Sequence, residues 1–362
     1  MEDNILRMIP GPTYISKEVL NAGNHSFGSA DIESEFLNLY IECENHLKEI
    51  LKTKNDIAIM SGEGMVGLWG AMKSCLKPGD KVLSIATGLF GFGFEDMAKS
   101  IGCKTKHIAY NYNESVKDFD KIEEVIKEFR PKMITIVQNE TPSGTMNSIE
   151  EIGSLKEKYN IPLLLVDAVS GIAGSKVETD NWNIDLCLGA SQKCLSAPAN
   201  LAFVSISKKA WECAEEINYI GYDAILPFKN AVKDFYFPYT MNWQGIAQLN
   251  QACKLILREG LENCITRHNE VAKYCRNKIK EIGLDLFCSN DSLPSSTVTA
   301  INVPEHIDWN ILNKQLKEKG LILGGNYGPL AQKVFRIGHM GSQAHKDNID
   351  RTIEILKDVI HC

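Results

Sequence analysis

Short apolar runs alternate with helix-like stretches from about residue 56 onward. IAIM (57–60) precedes a helical run from Gly64 to Cys75, KVLSIA (81–86) precedes GFGFEDMAKSIG, and TKHIAY (105–110) precedes KDFDKIEEVIKEF. MITIVQ (133–138) precedes IEEIGSLKEKY, and PLLLVDA (162–168) follows. These runs lack strict polar alternation, as strands do when both faces of a mostly parallel sheet are covered. Helices between them predict an α/β architecture. IDLCLGA (184–190) and LAFVSIS (201–207) are separated by a short connection, which suggests neighbouring strands and leaves room for one to be antiparallel. A helical region covers about 242–282. Beyond it TVTAINV, GLILGG and KVFRIGHM read as strands, with helices at 308–319 and 345–360. The expected organisation is an N-terminal segment (1–20), a large α/β unit (21–255) and a smaller C-terminal α+β unit (256–362).

Composition narrows the class. With 39 Lys and Arg against 46 Asp and Glu, the formal net charge is -7, which argues against broad nucleic-acid binding. No apolar run reaches the roughly 18 residues of a membrane span. The acidic start MEDNILRM lacks an apolar signal core. The eleven cysteines are scattered, form no C-x-x-C pair and have no zinc-like spacing, so no metal site is expected and a reducing cytoplasm suits them.

In such sheets chemistry gathers at the carboxyl ends of strands. Asp167 ends one apolar run and Lys193, in GASQKCLSAP, follows another. Singly, the first reads as a turn or capping residue and the second as surface. Together, 26 residues apart on successive strand ends, they fit a pyridoxal enzyme. That chemistry needs a lysine for a Schiff base and proton transfer, and an acid to keep the pyridine nitrogen protonated. Phe90 in ATGLFGFG is placed to stack on one ring face, with Val169 of DAVSG opposite. Thr141 in QNETPSGT is placed to bond the ring's phenolic oxygen. Ordinary core packing for Phe90 and Val169, and a turn for Thr141, are the plainer alternatives.

These motifs resemble the class V, fold-type I aminotransferases, specifically the alanine–glyoxylate and serine–pyruvate group. The resemblance runs from IPGPTYISKEVL (9–20) through SGEG, ETPSGT, VDAVSG and SQKCLSAP to ILGGNYG and FRIGHMG (335–341). It implies Lys193 as the Schiff-base lysine, Asp167 as partner of the pyridine nitrogen, Thr141 near the phenolic oxygen and Phe90 in the stacking position. Arg336 would clamp the substrate carboxylate, a role its guanidinium fork suits. The resemblance further implies a homodimer acting on small molecules, with Thr240 reaching across the interface. A desulfurase or selenocysteine-lyase reading needs a nucleophilic cysteine near the site, and GGNYGPLAQKVFRIG contains none.

The phosphate-binding end departs from the group. Where relatives carry a turn of small residues, this chain has Ser61-Gly62-Glu63-Gly64. A carboxylate about 4 Å from a phosphate is repelled by roughly 4 kcal/mol per charge pair at an effective dielectric near 20. Glu63 has a plainer alternative as a helix N-terminal acid turned to solvent. The Y-x-x-T segment of relatives is Phe237-Pro238-Tyr239-Thr240 here, with Tyr239 able to substitute for the lost tyrosine, and Gln192 is retained. This pattern is similar to the pyridoxamine–pyruvate branch, which acts on the free vitamer. The resemblance therefore implies either pyridoxal 5'-phosphate as cofactor, or unphosphorylated pyridoxal and pyridoxamine bound as substrates with pyruvate and L-alanine.

Overall fold

Seven strands line up in one sheet, and the helices between them cover its two faces. The computed structural model describes residues 5–360. In chain order it comprises β1 (Leu6–Met8), α1 (Lys17–Ala22), α2 (Ser34–Leu51), β2 (Asp56–Ser61), α3 (Gly64–Cys75), β3 (Lys81–Ala86), α4 (Leu89–Ile101), β4 (Lys104–Ala109), α5 (Phe119–Phe129), β5 (Met133–Val137), β6 (Asn139–Glu140), β7 (Thr145–Met146), α6 (Glu150–Lys158), β8 (Leu163–Asp167), β9 (Leu186–Ala190) and β10 (Leu201–Ile206). There follow α7 (Lys208–Ile217), α8 (Ala231–Asp234), α9 (Trp243–Glu259), α10 (Leu261–Glu281), β11 (Val298–Asn302), α11 (Trp309–Glu318), β12 (Leu321–Leu323), β13 (Val334–Gly338) and α12 (Lys346–Ile360).

The large sheet has the order β2-β10-β9-β8-β5-β3-β4. β10 runs antiparallel to both its neighbours, whereas the pairs from β9 through β4 are parallel. The unalternating apolar runs lie where the chain is covered on both faces: every residue of β5, β8, β9 and β10 is buried. Burying a leucine such as Leu163, Leu164 or Leu165 contributes roughly 1.5–3 kcal/mol apiece. β4 at the edge buries only Ile108, and its exposed Lys104 and half-buried Lys106 mark it against pairing with another chain.

The region read as one helical stretch over about 242–282 is two helices. Gly260 divides α9 from α10 and takes φ +89°, where a side chain would be strained. A second apolar core gathers Val271, Cys275, Ile301, Leu312, Leu316, Phe335 and Ile353, and it includes Leu6 and Met8 from the other end of the chain. β1 pairs in parallel with β12 to bring them there. α1, α2 and β1 were not anticipated. No helix of the described residues is long and apolar enough to cross a membrane.

Candidate functional site

Five loops converge on the edge of the sheet where its parallel strands end. The Ser61–Gly64 turn follows β2, Phe90 lies in the first turn of α4 after β3, and Thr141 comes four residues after β5. Asp167 is the last residue of β8, and Gln192 and Lys193 follow β9. Arg336 arrives separately, from the middle of β13.

Lys193 is part-buried, and its Nζ donates to the carbonyl oxygen of Pro10 at 2.7 Å. Gly11, at φ +82°, lies against the same side chain; a Cβ there would come within 2.6 Å of Lys193 Cδ. Removal from water and the nearby Arg336 guanidinium pull the amine down to about 8, although Asp167 opposes the shift. Asp167 moves the other way. Burial pushes its carboxyl up to about 6, against the Val169 N–H, which donates to Oδ1 at 2.9 Å, and against the Lys193 charge. An amine shifted down and an acid shifted up, near enough to feel each other's charge, are what a proton-transfer site requires.

The remaining ring-end residues surround this pair. Thr141 shares a short hydrogen bond with the Ser170 hydroxyl. Val169 lies beside Gly64, whose missing Cβ would stand 3.6 Å from it. Arg336 commits the Nε–Nη2 edge of its guanidinium to Gly325 O, at 2.9 and 2.5 Å, and Nη1 lies 3.4 Å from Thr141 O. The outward Nη1–Nη2 edge is the one that can meet a carboxylate. Tyr327 lies under the guanidinium at 5.0 Å from its ring centre. Neither Tyr327 nor Ser170 was singled out in the sequence, although both stand within quoted motifs, Tyr327 in ILGGNYG and Ser170 in VDAVSG. Glu140, also missed, is wholly buried and pushed up to about 8 by burial, with Asp167 adding to the rise.

The other end of the site is neutral. Gly62 takes φ +134°, which only glycine adopts freely, and its N–H donates to Asn200 O at 2.9 Å. Glu63 is exposed and serves as the N-cap of α3, its Oε1 accepting the Met65 N–H at 3.1 Å. Ser61 Oγ, Gln192 Oε1, Asn200 Oδ1 and Tyr239 Oη are buried without hydrogen-bond partners among the described residues. Tyr239 stacks on Tyr222 at 4.5 Å, and its hydroxyl lies beside the Ser61 backbone. Phe237 turns inward instead, against Phe36 and Tyr40 in the core, so it is a packing residue and not a site residue that has lost its hydroxyl. Thr240 is exposed.

A lysine and an acid at successive strand ends of a doubly covered sheet, with an arginine brought in from a second core, define a fold-type I aminotransferase. The chain belongs to the class-V aminotransferase family, whose model matches residues 13–334. It is 34% identical over 353 residues to an uncharacterized aminotransferase of Methanocaldococcus jannaschii, covering 94% of this chain and 89% of the relative. To the pyridoxamine–pyruvate transaminase of Mesorhizobium japonicum it is 31% identical over 350 residues, covering 94% and 88%. The crystal structure of an alanine–glyoxylate aminotransferase from Nostoc superposes with a TM-score of 0.94 at 27% identity, covering 99% of this chain and 96% of that one. Members of the family use pyridoxal 5'-phosphate. The residues present fit such a ring: the shifted Lys193 and Asp167 suit its reactive end, and the partnerless polar atoms around the Ser61–Gly64 turn suit its far end.

Proposed function

We propose that this aminotransferase moves an amino group between L-alanine and pyruvate, with free pyridoxamine and pyridoxal as the other substrate pair. The observation that carries the free-vitamer part is the position of Glu63. Phosphate groups bind at helix N-termini through free backbone N–H groups and the positive end of the dipole. At α3 the Glu63 carboxylate already takes one of those N–H groups and places its own negative charge there. The similarity to a pyridoxamine–pyruvate transaminase agrees with this.

When bound, the pyridoxal ring supplies a protonated pyridine that withdraws the electron pair left by the α-proton of the amino acid. The chain's own residues do the rest. Arg336 holds the substrate carboxylate along its outward edge, so the α-carbon faces Lys193. Lys193 Nζ, neutral above about 8, takes the α-proton as a base and would deliver it as an acid to the carbon that bore the pyridoxal aldehyde. Asp167 keeps the pyridine nitrogen protonated, and Thr141 turns its hydroxyl to the phenolic oxygen. Phe90 and Val169 cover the two ring faces and exclude water. Gln192, Tyr239, Gly62, Glu63 and Gly64 receive the far end of the ring, and Thr240 serves the neighbouring copy's site in a homodimer.

A second reading is an ordinary alanine–glyoxylate or serine–pyruvate aminotransferase that keeps pyridoxal 5'-phosphate. It is favoured by Ser61 Oγ and Tyr239 Oη, two buried hydroxyls that can donate to a phosphate. Denaturing the purified protein and weighing the released small molecule separates the two. Pyridoxal or pyridoxamine without phosphate, or an unloaded protein active on added pyridoxamine and pyruvate, is expected. One equivalent of a phosphate ester per chain sinks the free-vitamer reading.

A further inference from the structure

We infer that Glu140 is the positioning residue that sets Phe90 against the pyridoxal ring, acting as an N-terminal cap lent to α4 from another element. The inference rests on the pyridoxal reading above. α4 opens without a cap of its own: Gly88 has no side chain, and its first turn carries no acid. The first N–H groups of a helix have no partner inside it and need one from outside. Glu140, at the end of β6, supplies it. Its Oε1 accepts the Gly91 N–H at 2.8 Å and its Oε2 the Phe90 N–H at 3.4 Å. One carboxylate thus holds the backbone of Phe90 and of the residue after it.

The sequence makes room for this arrangement at two glycines. A Cβ on Gly88 would come within 2.6 Å of Glu140 Cδ, and one on Gly91 within 3.2 Å of Oε1 and 2.9 Å of the Ala86 backbone. Both glycines belong to ATGLFGFG, so the motif that carries the aromatic residue also carries the niche for its anchor. The neighbouring ionisable groups are Asp167 from β8 and Tyr112 from the segment after β4. Neither forms a hydrogen bond to Glu140, so its placement comes from the helix end. A carboxyl group buried in such surroundings is costly unless it is hydrogen-bonded, and the Phe90 and Gly91 N–H groups supply those bonds.

The test is a double-mutant cycle read by ring binding, using Glu140→Ala, Phe90→Leu and the pair. Apoprotein is titrated with pyridoxal and, separately, with pyridoxal 5'-phosphate, following the absorbance and induced circular dichroism of the bound ring. Each single variant is expected to weaken binding of the preferred ring about tenfold, on the scale of a hydrogen bond or an aromatic contact. The double variant is expected to be no weaker than either single one, and Glu140→Ala to alter the dichroism as Phe90→Leu does. Independent losses that multiply in the double variant, or unchanged binding in Glu140→Ala, overturn the inference. If the alanine variant does not fold, Glu140→Gln takes its place in the cycle; it keeps the Gly91 acceptor but presents no acceptor to Phe90. A wild-type chain that takes up neither ring overturns the function reading, and this inference with it.

Discussion

The two ends of the site are built on opposite principles. At the reactive end, Lys193, Asp167, Arg336 and Glu140 are ionisable groups removed from water, each shifted by burial and by its neighbours. At the far end, the buried groups are neutral hydroxyls and amides, and the one carboxylate, Glu63, is exposed. Ionisable groups are therefore gathered at the end where the proposed proton transfer takes place, and simple hydrogen-bonding capacity is left at the other. The reaction class follows from the first end. The choice between a phosphate ester and a hydroxymethyl group belongs to the second.

The largest effect that could break this contrast is at the lysine. Lys193→Ala is expected to lower single-turnover transamination by at least about 10³-fold, the scale of a lost proton-transfer group. Retained activity would mean that the charged end is not the reactive one. Next comes pH. The Lys193 amine is neutral above about 8, whereas an ordinary lysine is protonated until about 10.4. The rate at which apoprotein takes up pyridoxal should thus climb about tenfold per pH unit below 8 and level off above it. A rate still climbing at pH 10 would show an amine in contact with water. The smallest effect is at the neutral end. Glu63→Ser keeps an N-cap and removes one exposed charge, so the ratio of pyridoxal 5'-phosphate to pyridoxal affinity should rise about five- to tenfold, far below what an unscreened contact would give. An unchanged ratio in paired titrations would remove Glu63 from the choice between the two rings.

Legibility in the sequence divides along similar lines. Strands such as LLLVD and LCLGA were legible because burial on both faces leaves an uninterrupted apolar run, and Asp167 and Lys193 because each terminates or follows one. The direction of β10 was legible only through the short connection after LCLGA, which left room for an antiparallel neighbour, since LAFVSI itself reads the same whichever way it runs. α2 does carry a readable signal: its buried Phe36, Tyr40, Cys43, Leu47 and Ile50 recur at helical spacing. Glu140 was hidden for a different reason. In QNETPSGT it resembles a turn residue, and only the niche formed by Gly88 and Gly91, some fifty positions earlier, makes it a helix cap. Phe237 misled in the opposite sense. Its motif position suggested a site residue, whereas its ring belongs to an aromatic cluster with Phe36 and Tyr40.

The hydrogen bond from Lys193 to Pro10 spans 183 residues of chain, and Pro10 lies two residues beyond a strand whose partner, Leu321–Leu323, lies nearer the opposite terminus. A chain emerging from the ribosome has both Pro10 and Lys193 long before it has β12. Until β12 arrives, β1 lacks the strand it pairs with, and the segment carrying Pro10 is not yet held against Lys193 from that side. The surroundings of Lys193 are thus completed late in synthesis, when β12 joins β1 and β13 brings Arg336 beside the amine.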